Sequence, residues 1–146
     1  MSRRRDERGS ALVEVIWLSL LLLVPLVYVM LSVFEVQRAS YGVSGAARAA
    51  ARAYSLAPDE GSARDRARAA AAVALEDQSV DIDDVAMVVR CEPQPGNCLA
   101  PGSTISVVLR HQVRLPLAPD ALGAQAPSIR VEADHAVAYG EFREDR

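Results

Sequence analysis

Val15 to Phe34 reads VIWLSLLLLVPLVYVMLSVF, twenty residues without a charge. No other feature limits the fold so strongly. As a helix the run rises about 30 Å, the thickness of the hydrocarbon core of a bilayer. The alternative is a helix buried in a soluble core, which must be enclosed on all sides. The rest of the 146 residues is too short and too polar to do that. The mean hydropathy of +0.09 therefore averages a membrane segment with a polar remainder.

The flanks orient the segment. MSRRRDERG precedes it, with Arg3, Arg4, Arg5 and Arg8 against Asp6 and Glu7, and Glu35 and Arg38 close the apolar run. The positive-inside rule puts the N-terminus in the cytoplasm and the chain beyond Glu35 outside. Pro25 falls mid-span, removes one backbone hydrogen bond and predicts a bend that a membrane helix tolerates. A secretory signal is a poorer match: its apolar region is usually about 7–15 residues, and no clear A-x-A site with a break follows here, the chain running on into an alanine-rich helical pattern. The expectation is a single-pass anchor in the cell membrane.

Charge excludes one large class of partner. All sixteen basic residues are arginine, and nineteen acids bring the net charge to −3. No surplus of positive charge exists to neutralise phosphates, so no nucleic-acid binding is expected.

Glu14 needs its own account. It follows Gly9-Ser10-Ala11-Leu12-Val13 and stands where the chain enters the membrane. Taken alone it reads as a carboxylate snorkelling to water at a helix start, where the helix dipole favours negative charge. Its spacing suggests more. A glycine, a small residue, a glutamate at the fifth position and an unbroken apolar helix resemble the class III signal of type IV pilin-like proteins. More narrowly, RGSALVEV, a proline-containing apolar helix and then VSGAARAAARAYS resemble the TadE-like minor pseudopilins of tight-adherence (Tad, or Flp) pilus systems. The likeness covers residues 8 to about 57 well and the rest only in layout. Val15 departs from the family, which commonly has an aromatic there.

The resemblance implies a prepilin peptidase cut between Gly9 and Ser10, leaving 137 residues with twelve arginines against seventeen acids. It also implies that Glu14 pairs with the Ser10 amine of a neighbouring subunit during assembly, and that the partners are other pilin or pseudopilin subunits and the Tad assembly platform. The implied role is to help initiate or cap a filament.

Beyond the membrane, Ala39, Val43, Ala46, Ala50 and Tyr54 recur at steps of three and four, with Arg48 and Arg52 on another face. The period predicts that the membrane helix runs on as one rod to about Ala57. Ser40, Ser44, Ala47 and Ala51 permit close helix approach, either inside the domain or between subunits. Pro58 breaks the pattern. A second helix is expected over 62–77, capped by Ser62 with Asp65, with Arg64, Arg66 and Arg68 solvated.

After Asp84 the period becomes two. Strands are expected from Val85 to Cys91, from Ile105 to Leu115 and from Ile129 to about Tyr139. Their apolar faces carry His111 in the second and Ile129 and His135 in the third. Leu115–Pro127, with three prolines, reads as a loop. The fold class is α+β: a long N-terminal transmembrane helix continues into helices packed on a small antiparallel sheet, as in pilin-like chains. The divisions are 1–9 leader, 10–34 transmembrane helix, 35–78 helical stalk and second helix, and 79–146 small β-rich extracytoplasmic domain.

Cys91 and Cys98 bracket Glu-Pro-Gln-Pro-Gly-Asn. Outside the cell such a pair reads as a structural disulfide pinning a turn. C-x6-C is no redox motif, and the pair makes a poor zinc site. Asp81, Asp83 and Asp84 lack the glycine and terminal glutamate of a calcium loop. With both histidines on expected buried faces, no nucleophile–base pair is evident. No enzymatic activity, cofactor or metal is expected. A different class also accommodates the chain: an uncleaved single-pass anchor carrying an extracellular binding or sensing module.

Overall fold

The computed structural model describes residues 8–116 and 127–142. Its element order is α1 (Arg8–Ser55), α2 (Glu60–Glu76), a 3-10 turn (Ile82–Asp84), β1 (Val85–Glu92), β2 (Thr104–Arg114) and β3 (Ser128–Ala138). The expected leader lies mostly outside the described residues, as does most of the expected Leu115–Pro127 loop. The architecture is α+β, with a long apolar N-terminal helix followed by a small domain, as expected of a pilin-like chain.

Helix α1 is one rod of 48 residues, about 70 Å at 1.5 Å per residue. It continues as helix through Pro25. Its C-terminal part is the spine of the domain: Val43, Ala46 and Ala50 are fully buried and Tyr54 nearly so. Ala47 and Ala51 are fully buried as well. Of the two uses open to these small residues, close approach inside the domain is the one realised by this pair. Helix α2 returns antiparallel and meets α1 through Ala63, Ala67 and Ala71, also fully buried. Gly42 lets the segment just after α2 come close, for a Cβ there would lie 3.0 Å from Gln78 Cβ and Cγ.

Helix α2 starts two residues earlier than its periodicity predicts, and its cap differs. Asp59, in extended conformation, is the N-cap and accepts from Ser62 N at 2.9 Å. Ser62 Oγ donates back to Asp59 Oδ2 at 3.1 Å. Ser62 is therefore the third helical residue and the partner of the cap. The Ser62 N–H holds the Asp59 carboxyl below its usual range. Arg64, Arg66 and Arg68 are exposed, as expected.

The sheet has the order β1-β2-β3, with both pairs antiparallel. Val85, Cys91, Ile105, Val107, Leu109, Val113 and Val131 join the helical alanines in one core. Two expectations need correction. Ile129, expected on the buried face, is 43% exposed, because it lies at the start of β3, where the domain gives out beside α1. His111 and His135, expected to be buried, are only half-buried. His111 Nδ1 lies 3.2 Å from the Asp84 carbonyl oxygen, where the central strand passes the junction of the 3-10 turn with β1.

Candidate membrane anchor and processing segment

The N-terminal half of α1 stands apart from the domain. None of the most apolar 18-residue stretch of this helix is buried by the rest of the chain. Leu21, Trp17 and Leu12 are 70%, 69% and 66% exposed. Water does not sustain such a surface, since each large aliphatic left exposed forgoes about 1.5–3 kcal/mol of burial. The helix is long and apolar enough to cross a membrane.

The site residues read from the sequence fall into two groups. Gly9 and Ser10 lie in the first turn of α1. The first four N–H groups of a helix have no intrahelical acceptor, so this turn is the easiest to open. Glu14 follows one turn later and is exposed. Pro25 has no N–H to offer the carbonyl of Leu21. Two turns beyond it, Ser32 Oγ donates to the Tyr28 carbonyl at 2.8 Å, which satisfies that hydroxyl within the helix.

The second group is far away, at the membrane-distal end. Cys91 and Cys98 form a disulfide with Cα atoms 5.2 Å apart. It closes the turn after β1 and fixes Leu99, which is fully buried. Here lies the feature that sequence reasoning missed. Glu60 Oε2 accepts from the Tyr54 hydroxyl at 2.7 Å, while Glu60 Oε1 accepts from Leu99 N at 2.8 Å. One carboxylate thus joins the end of α1, the start of α2 and the disulfide loop. Burial, followed by the bond to Glu60, pushes the Tyr54 hydroxyl up to about 12. Only the appearance of a glutamate just after Pro58-Asp59 hinted at it, and its partner is 39 residues away.

Other polar groups have structural partners. Arg68 Nη2 lies 2.7 Å from Asp83 Oδ1, and Arg110 Nε lies 2.8 Å from Glu132 Oε2. The Arg110 guanidinium holds the Glu132 carboxyl below its usual range. Asp81 caps the 3-10 turn by accepting from Asp83 N. Among the described residues no group of three or more His, Cys, Asp or Glu side chains is placed to hold a metal ion. A polar cleft of about 640 Å³ between α1 and the near end of the sheet mixes Glu35, Asp81 and Asp84 with Arg38, Arg114 and His111. Arg38 in that cleft is paired with Glu35 at 3.3 Å, so its charge is partly spent.

The described residues thus form an uncovered apolar rod bearing one acidic residue near its start and carrying a small domain locked at its far end. No family model, curated protein or solved structure matches the chain.

Proposed function

We propose that this chain is a membrane-anchored structural protein, a minor pseudopilin of the TadE-like kind that assists assembly of a Tad-type pilus or a related secretion machine. In this reading its N-terminus is cytoplasmic and its domain extracytoplasmic. Prepilin peptidase removes the arginine-rich leader between Gly9 and Ser10 after the first turn opens. Glu14 then engages the Ser10 amine of a neighbouring subunit, which offsets the desolvation of both charges and penalises a subunit out of register. The chain is the substrate of an enzyme and performs no chemistry itself.

The observation that carries the reading is the apolar half of α1, uncovered by its own domain and bearing Glu14 one turn from its start. A rod of this kind needs lipid before assembly and neighbouring helices after it. Glu14→Val tests the role of the carboxylate: the variant inserts and is cleaved, but no longer co-purifies with the assembled machine. Normal assembly by Glu14→Val sinks the proposal. A second reading, the uncleaved anchor with a binding or sensing module, is favoured by the helical backbone at Gly9 and Ser10, since a protease takes its substrate extended.

A further inference from the structure

The apolar run of α1 ends at Phe34, yet the domain reaches past that point toward the membrane. Leu115, just after β2, and Ile129, at the start of β3, stand beside α1 at Tyr28, Val29, Val33 and Val36 and enclose with it a groove of about 340 Å³. The chain is tied together at this end, where Leu115 N donates to the Pro127 carbonyl at 3.1 Å. The surface that lines the groove is apolar: Gln37 at its upper end adds no polar surface to it, and the hydroxyl of Ser32, which also lines it, is engaged by the Tyr28 carbonyl. Its size lies within the range of sites that hold small apolar ligands.

Depth decides what fills it. Tyr28 is six positions before Phe34, about 9 Å along the helix axis. If Val15–Phe34 spans the hydrocarbon core, the floor of the groove lies below the headgroups. Amphipathic elements sit about 5–10 Å into that boundary. The neighbours of the two lip residues fit the same level. Arg114 and Arg130 follow β2 and β3 register as diagonal neighbours on the opposite face of the sheet, and both are exposed. Arginine beside apolar residues is the pattern of a surface that buries its stems and presents charge to headgroup phosphates.

We propose that the end of the domain formed by Leu115 and Ile129 is seated in the leaflet on its own side of the membrane, with a lipid acyl chain in the groove against α1. The domain therefore does not swing freely on a stalk. It is held upright at a fixed depth, and leaving the membrane for a filament requires that this lipid be exchanged for another apolar surface. The proposal rests on the anchor reading, and the test separates the two.

The full chain, with its disulfide intact, is labelled with an environment-sensitive fluorophore at Ile129→Cys and reconstituted in vesicles containing lipids with nitroxide quenchers at shallow and at deep acyl positions. Val24→Cys, in mid-span, reports the anchor, and Val73→Cys, exposed on α2, reports the solvated domain. The expected result is blue-shifted emission and strong quenching at 129, of the same order as at 24, with neither at 73. Quenching at 24 but not at 129 overturns the proposal and leaves the anchor standing. Absence of quenching at 24 overturns both. A label at 129 that escapes lipid quenching and becomes shielded as the protein-to-lipid ratio rises shows a second copy in the groove, which also overturns it.

Discussion

Removing the Glu60 carboxylate tests whether one side chain locks the distal end of the domain. In Glu60→Ala the Tyr54 hydroxyl and the Leu99 N–H both lose an acceptor, and both residues are almost completely buried, at 1% and 0% exposure. A buried donor left without a partner costs about 1–3 kcal/mol. Glu60 itself is half-buried, so water reaches part of the vacated space and the lower half of the range applies to each donor. The sum is about 2–4 kcal/mol. Tyr54→Phe removes one bond and leaves no orphaned donor, so it costs about 1 kcal/mol. The double variant then loses less than the sum of the two, since the Tyr54 penalty cannot be incurred twice. Thermal unfolding of the full chain in detergent, followed by the sheet signal in circular dichroism, reads these differences. At about 4–8 °C per kcal/mol for a domain of this size, Glu60→Ala lowers Tm by about 8–32 °C. A fall of under about 2 °C, or strict additivity in the double variant, refutes the reasoning.

Three further outcomes follow from the packing and the charges. Replacing both cysteines by serine opens a loop with a sequence separation of 7, and the chain-entropy model puts the loss at about 2.4 kcal/mol; chemical denaturation with and without reductant measures it, and only the parent protein responds to reductant. Gly42→Leu forces a side chain into the 3.0 Å approach to Gln78 and costs about 1–3 kcal/mol by overpacking, read as an earlier loss of α2 protection in hydrogen exchange. Because the Tyr54 hydroxyl is pushed up to about 12 from its ordinary value near 10, the folded state keeps a proton that the unfolded chain releases. Its stabilising contribution is complete below pH 10 and is lost as pH rises toward 12; the slope of Tm against pH in that window is shallower in Tyr54→Phe.

Much of this fold is legible in the chain because its signals are local and periodic. The steps from Ala39 to Tyr54 mark the buried face of α1, and all five residues are buried. Ala47 and Ala51 could not be assigned from spacing alone, because small residues suit a contact within the domain or between subunits equally well. The start of α2 was displaced for a chemical reason: Asp59 and Ser62 are both good caps, and only the extended backbone at 59 decides between them. Ile129 and the histidines misled because alternation identifies a face but not where the covering layer ends. The Glu60 junction was barely signalled because it joins Tyr54 to Leu99 through the tertiary fold. The proposed processing segment, by contrast, rests on order and spacing in the sequence alone, from Gly9 through Glu14 to the uncharged run.

The central claim is that this chain is a processed, membrane-held subunit, and intact-mass measurement of the protein extracted from membranes tests it most directly. The account predicts a mass beginning at Ser10, in the membrane fraction, with the leader absent only when prepilin peptidase is present. A membrane protein that keeps residues 1–9 in the presence of an active peptidase contradicts the account and identifies a plain anchor.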